Sequence, residues 1–152
     1  MDNAFSSIPL FRFLRDKGIG ACGTVRTSSK KFPKELNIDK RKVKYDWNTR
    51  SGVVVDGVLA TLWVDNGPVH LLTTVHQFRG DDWDVMRKRR RPRPTCVNEA
   101  IVRATWGKKH TAKLKIPKVI DDYNHYMGGV DIADQRRGYV SSIDASSLLR
   151  VF

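Results

Sequence analysis

The sequence predicts an α/β protein in which two structured ends enclose a basic, β-rich middle. Three observations support this: apolar residues at helical spacing near the N-terminus, β-branched runs around an Asn-Gly pair, and cations concentrated between residues 28 and 116. At 152 residues, the chain is about one domain long. Its 40% hydrophobic content, with four Trp, argues against wholesale disorder.

The N-terminal segment predicts an amphipathic helix followed by a short strand. The apolar positions at helical spacing are Phe5, Ile8, Leu14 and either Leu10 or Phe11. Asp2 or Asn3 is the expected N-cap, because short polar side chains accept hydrogen bonds from the first turn of a helix. Residues 18–26 are bounded by glycines and predict a short buried strand.

The middle of the chain predicts a solvated segment and then a hairpin. Residues 28–50 contain eight Lys or Arg and Pro33, which favours a loop-rich, solvated conformation. Residues 53–62 and 69–75 are rich in β-branched residues and flank Asn66-Gly67, a strong hairpin signal. Because Pro68 follows directly, we expect a loop longer than two residues. Residues 99–115 predict a short helix.

A second group of cations provides the candidate nucleic-acid-binding residues. They are Arg87, Lys88, Arg89, Arg90, Arg91, Arg93, Lys108 and Lys109. The run from Arg87 to Arg93 is compatible with a solvated loop, with an arm that contacts phosphates, or with a nuclear import signal. A nuclear location is the corresponding expectation.

The overall charge points to a polyanionic partner. The net charge is +12, which favours nucleic acid, most simply DNA. We expect no membrane partner, because the sequence has neither a long basic amphipathic helix nor a run of 18 apolar residues. We also expect no small-molecule substrate. The N-terminus lacks a signal-peptide pattern, which predicts an intracellular protein. Cys22 and Cys96 lack the spacing of a zinc site.

Two carboxylates near the C-terminus suggest a metal site. Asp131 and Asp134 follow Gly128-Gly129, which we interpret as the turn that starts the last helix. In a helix, residues three apart lie on one face. Mg²⁺ binds carboxylate oxygens and completes its coordination with water and substrate phosphates. A further carboxylate must come from elsewhere in the chain, and Asp2 is a candidate.

Four short segments, in this order, resemble the C-terminal part of a piggyBac-type transposase. The matching residues are Asp2-Asn3-x-Phe5-x-Ser7; Gly23-Thr24-Val25-Arg26; Trp63-x-Asp65 with Val69-x-Leu71-Leu72-x-Thr74-x-His76; and Tyr123-Asn124-x-x-Met127-Gly128-Gly129-Val130-Asp131-x-x-Asp134-Gln135. Each segment alone is ordinary, whereas four in the right order are specific. The last segment is the most diagnostic.

The resemblance implies a ribonuclease-H-like core in which three catalytic aspartates bind two Mg²⁺ ions for DNA cleavage and strand transfer. Asp2 matches the second catalytic aspartate and Asp131 the third, so both are expected metal ligands, while Asp134 matches an accessory position. The implied domains are a core segment at 1–27, a basic β-rich insertion at 28–116, a returning core segment at 117–142 and a tail outside the family pattern at 143–152.

The departures from the family pattern predict a partial core. The first catalytic aspartate and the opening strands have no counterpart here, so we expect no strand cleavage by this chain alone and consider a related full-length transposase as a dimer partner. Two alternatives remain open. One is a non-catalytic nucleic-acid-binding module that uses the basic insertion, and the other is an RNA-associated basic protein.

Overall fold

The computed structural model describes residues 1–38, 45–77, 83–95 and 98–128. Helix α1 spans Ile8–Asp16 and strand β1 spans Cys22–Thr24. Strands β2, β3, β4 and β5 span Arg50–Val55, Val58–Val64, Pro68–Thr73 and Asp84–Arg90. Helix α2, Glu99–Trp106, precedes strand β6, Thr111–Pro117, and residues 118–128 form helix α3. None of the helices in these ranges is long and apolar enough to span a bilayer.

The strands form two antiparallel sheets, which confirms the mixed α/β class. One has four strands in the order β1-β4-β3-β2, and the other, hereafter the ribbon, consists of β5 and β6. The chain divides into two compact units, Met1–Asp121 and Asp122–Phe152, and both sheets belong to the first.

Two hairpins build the centre of the four-stranded sheet. Residues 65–67 connect β3 to β4, and Val64 pairs with Pro68, so the predicted hairpin and its loop of more than two residues are both confirmed. The β2–β3 hairpin turns at Asp56-Gly57, where both residues have positive φ, 52° and 77°. These dihedrals are typical of a type I′ turn, whose twist matches that of the flanking strands.

Strand β3 forms the centre of the core. All seven of its residues are buried. Alternate side chains point to opposite faces of a sheet, so Val58, Ala60 and Leu62 share one face and join the cluster that contains Ile8 and Phe11 of α1. Burial of each such large side chain stabilises the fold by about 1.5–3 kcal/mol.

The predicted N-terminal cap is wrong. Ser7 is the N-cap of α1, and its hydroxyl accepts a hydrogen bond from the Leu10 N–H at 3.4 Å. Pro9 lies in the first turn, where its fixed φ favours helix initiation. Asp2 instead accepts from the Ala4 N–H within its own turn, and Phe5 precedes the helix with 72% of its surface exposed.

The segment from residue 28 to residue 50 is less solvated than predicted. Phe32 and Leu36 are buried in the main core, and Lys34–Leu36 form one 3₁₀ turn. The apolar side chains outweigh the local cation density here, because they lie beside the sheet. Residues 39–44 lie outside the described residues.

The prediction of a loop or an arm at Arg87–Arg93 is wrong for its first half. Residues up to Arg90 belong to β5 and pair with β6, with Arg87 opposite Leu114. Strand β6 begins after the exposed turn that contains Lys108 and Lys109, and its apolar residues provide the pairing partner that the basic run alone lacks. The short helix predicted in residues 99–115 is confirmed as α2.

The interpretation of Gly128 as a turn residue is also wrong. Gly128 is helical and belongs to α3, which begins at residue 118. Helix α3 starts directly after β6, and the start of a last helix after the glycine pair stays a prediction. Gly129 lies outside the described residues.

Candidate functional site

The first residue of the chain lies along the outer edge of β1. The Met1 amino group donates to the Cys22 carbonyl at 2.7 Å, and the Thr24 N–H donates to the Met1 carbonyl at 3.2 Å. These two bonds enclose Gly23 in the pattern of a parallel strand pair. Met1 thus flanks β1 on the edge opposite β4.

Close approach of Met1 requires a glycine at position 23. A Cβ atom on Gly23 would lie 2.6 Å from the Met1 carbonyl oxygen and 2.8 Å from the Ser6 hydroxyl. Neither neighbour is the end of a long flexible side chain. Steric crowding therefore explains why the Gly-Thr-Val-Arg segment begins with glycine.

Asp2 follows this contact and is held in a tight turn. Its Oδ1 accepts from the Ala4 N–H at 2.8 Å, while its main-chain carbonyl accepts from the Ser6 hydroxyl at 2.9 Å. The residue is exposed. The turn therefore presents a solvent-accessible carboxylate, an oxygen ligand of the kind that Mg²⁺ prefers.

Three of the four family-like segments come together around this turn. The Arg26 guanidinium donates to Asn3 Oδ1 at 3.3 Å, which joins the first segment to the second. The Val25 N–H donates to the His70 carbonyl at 3.0 Å, and Gly23 pairs with Leu72, which joins the second to the third. Sequence order alone did not establish this proximity.

The third segment has structural roles at the end of β4. The Thr73 side-chain oxygen lies 2.8 Å from His76 Nδ1 and accepts from the N–H groups of Val75 and His76. His70 Nε2 lies 2.9 Å from the Leu36 carbonyl. These contacts fix the chain on either side of Thr73.

The fourth segment is described only up to Gly128. Asp131 and Asp134 lie outside the described residues, so their proximity to Asp2 stays a prediction. Within the described ranges, no three His, Cys, Asp or Glu side chains are close enough together to hold a metal ion. Asp2 is thus the one carboxylate of the predicted site that lies within the described residues.

The inner face of the ribbon neutralises two of the predicted DNA-binding arginines. Arg87 forms a bidentate ion pair with Asp121, with both N–O distances at 2.6 Å. Arg89 forms an ion pair with Asp65, and its guanidinium lies over the Trp63 ring, 5.7 Å from the centroid. Two alternate residues of β5 are therefore each paired with a carboxylate of the protein.

A tryptophan cluster lies beneath the ribbon. The Trp47 ring contacts Trp63 and Trp106 edge to face, with centroid distances of 6.4 and 5.8 Å. Asp65 also accepts from the Trp47 indole N–H at 3.1 Å. Asp65 consequently joins the β3–β4 loop, the indole cluster and the ribbon through one carboxylate.

The outer face of the ribbon is basic and exposed. Lys88 and Arg90 on β5 are joined there by Lys113 and Lys115 on β6. Arg93, Lys108 and Lys109 are also exposed, whereas Arg91 is half-buried. Sequence reasoning missed both β6 lysines. Their alternation with Ala112, Leu114 and Ile116 is a strand pattern that could have identified them.

The fold is that of part of a transposase. It is similar to a chain of the cryo-EM structure of the piggyBac transposase synaptic complex with hairpin DNA, with a TM-score of 0.54 and 22% sequence identity. The match covers 90% of this chain and 23% of that chain. The family model described as Transposase IS4 matches residues 1–148, so the chain belongs to this transposase family. The predicted relationship to piggyBac-type transposases is confirmed.

Proposed function

We propose that this chain contributes Asp2 and Asp131 as metal ligands to metal-dependent DNA transposition, with Asp134 in an accessory role. The supporting observation is the position of Asp2, directly after a residue that bonds to β1 in the parallel-strand pattern. The family resemblance assigns the second catalytic aspartate to the end of a core strand. In this proposal residues 1–27 and 117–142 belong to a ribonuclease-H-like core, and residues 28–116 are its basic insertion.

The described residues suit a hard divalent cation such as Mg²⁺ at one ligand position. The Asp2 carboxylate is exposed, and the Ala4 N–H orients it through Oδ1. When bound, such ions stabilise the attacking and leaving oxygens of a phosphoryl transfer. The role of this chain is to orient the carboxylate, and Gly23 contributes by allowing Met1 to pack against β1.

DNA is the proposed partner, and a related full-length transposase is the proposed dimer partner. The similar piggyBac chain was solved in a complex with hairpin DNA, and a net charge of +12 favours a polyanion. The proposal also includes a nuclear location, where DNA is available.

A Mn²⁺ titration followed by NMR tests the metal site. Paramagnetic Mn²⁺ replaces Mg²⁺ and broadens the amide resonances close to it. We expect broadening at Asp2 and at Asp131 over the same concentration range, and weaker binding in both Asp2→Asn and Asp131→Asn. Asp16→Asn is the matched control, because the Asp16 side chain is 67% exposed and lies on α1. Unchanged broadening at Asp2 in the Asp131→Asn variant would contradict the proposal.

A non-catalytic nucleic-acid-binding module is the second candidate. The exposed cations on the outer face of the ribbon favour it, because they require no metal and neither aspartate. Binding of DNA without site-specific Mn²⁺ broadening would support this candidate over the first.

A further inference from the structure

We infer that the outer face of the ribbon, defined by Lys88, Arg90, Lys113 and Lys115, binds the phosphate backbone of duplex DNA. The choice of DNA as the polyanion rests on the proposed function. The grouping of these four residues on one face rests on the pairing of β5 with β6.

Strand alternation divides the cations of the ribbon into two groups. Arg87 and Arg89 share the inner face and form ion pairs with Asp121 and Asp65. Lys88 and Arg90 point to the opposite face. Within β5 the predicted run of binding residues is therefore split, and Lys88 and Arg90 are its members that form no ion pair among the described residues.

The outer cations have no carboxylate partners among the described residues, since none of the four takes part in an ion pair there. Asp84 has the same strand parity, but Arg50 of β2 neutralises it. Lys88 lies directly opposite Lys113 across the ribbon. Like charges at opposed positions destabilise a strand pair, whereas an anion that bridges them removes the repulsion.

The spacing and composition of this face suit duplex backbone better than unpaired bases. Alternate residues on a strand are about 7 Å apart and neighbouring strands about 4.8 Å apart, and each DNA strand has a charge about every 3.4 Å along the axis. Four cations can thus reach neighbouring phosphates. The other residues on this side of the two strands, Asp84, Met86, Thr111 and Pro117, are not aromatic, so the face lacks the rings on which single-stranded bases stack.

Salt-dependent binding of the full chain to a fluorescein-labelled duplex DNA of arbitrary sequence tests this inference. Removal of two phosphate contacts should reduce the slope of log K against log salt by about 1.8, since each contact contributes about 0.9. We expect this reduction in Lys88→Gln/Lys113→Gln, together with an unchanged or higher Tm, because the substitution removes a repulsive pair. The matched control is Lys30→Gln/Lys34→Gln, which removes the same charge from two exposed positions on the segment after β1.

The control separates a specific face from a general charge effect. Equal slope reductions in both double variants, or an unchanged slope in Lys88→Gln/Lys113→Gln, would overturn the inference. Tighter binding to duplex RNA of equal length, or to vesicles of anionic phospholipid, would also overturn it. The Mn²⁺ titration of Lys88→Gln/Lys113→Gln should match that of the unsubstituted chain, so failure of this inference is distinguishable from failure of the metal site.

Discussion

The four-stranded sheet and the ribbon are stabilised in different ways. In the sheet, β3 is buried along its whole length and packs through aliphatic side chains against α1. In the ribbon, five of the seven β5 residues are charged. Its inner face is held by ion pairs to Asp65 and Asp121 and by contacts with indole rings.

This difference shows where the family-like residues act through shape and where they act through charge. Gly23 allows two backbone segments to approach closely, and no charged side chain takes part in that contact. Asp65 contributes a carboxylate to a half-buried guanidinium and an indole N–H. Substitutions that change side-chain volume should therefore reduce stability most in the sheet. Substitutions that change charge should reduce it most beneath the ribbon.

The largest effect is expected for Gly23→Ala. The new Cβ would meet the Met1 carbonyl oxygen at 2.6 Å, so the N-terminal turn must move. We expect a loss near the upper end of the about 1–3 kcal/mol typical of overpacking, measured by urea denaturation. Gly128→Ala is the control, because its Cβ would meet nothing within 4 Å in a helix. A Gly23→Ala variant as stable as Gly128→Ala would show that the close approach of Met1 to Gly23 does not stabilise the fold.

Asp65→Asn tests the role given to charge. The substitution keeps an acceptor for the Trp47 N–H but removes the partner of Arg89, whose side chain is only 28% exposed. We expect a loss of about 1.5 kcal/mol in urea denaturation, at the lower end for hydrogen bonds to charged groups because both side chains are partly exposed. Asp16→Asn removes an ion pair at 4.0 Å between more exposed side chains. Asp16→Asn should therefore reduce the free energy of unfolding far less than Asp65→Asn. Equal losses would contradict the proposal that charge stabilises the region beneath the ribbon.

The sequence predicted the sheet better than the ribbon. Asn66-Gly67 between β-branched runs correctly predicted the β3–β4 hairpin, because the turn and the flanking apolar residues are local signals. The Asp56-Gly57 turn has an equally local signal, although it interrupts the β-rich run predicted for residues 53–62. The ribbon depends on pairing between β5 and β6, which are separated by α2, and a basic run considered alone does not reveal that pairing.

The sequence proposes residues for the candidate site but not their geometry. The order of the segments indicated Asp2, Gly23 and the β4 residues. Their proximity depends on backbone hydrogen bonds such as the one from Met1 to Cys22, whose partners the sequence does not specify. The division of the basic run depends on strand parity. The face on which each β5 residue lies is known only once Arg87 is placed opposite Leu114.

Ser7→Ala should have a smaller effect and tests the corrected helix boundary. The Ser7 hydroxyl caps α1, although its bond to the Leu10 N–H is long at 3.4 Å. We expect a loss of about 0.5–1 kcal/mol, at the lower end for an N-cap, measured by thermal unfolding. Asn3→Ala should leave the helix cap intact. Because Asn3 also accepts a hydrogen bond from Arg26, only a larger loss of helical circular dichroism in Asn3→Ala than in Ser7→Ala would restore the original prediction of an earlier cap.

The smallest effect is expected for Asp56→Asn, because the sheet depends little on charge. The hydrogen bond and charge of Lys31, whose Nζ lies 2.8 Å from Asp56 Oδ2, lower the pKa of Asp56 below its ordinary value of 3.8. A carboxyl with a lowered pKa in the folded state stabilises the fold above its ordinary pKa, and this contribution is lost as the pH falls through the lowered value. Asparagine tolerates the positive φ of the turn, so the backbone should not change. We expect Asp56→Asn to be slightly less stable than the unsubstituted chain at neutral pH, as measured by urea denaturation. This difference in the free energy of unfolding should shrink below pH 3.8. Lys31→Met should remove the same pH-dependent contribution to the free energy of unfolding. A stability difference that does not change with pH would show that the ion pair does not contribute.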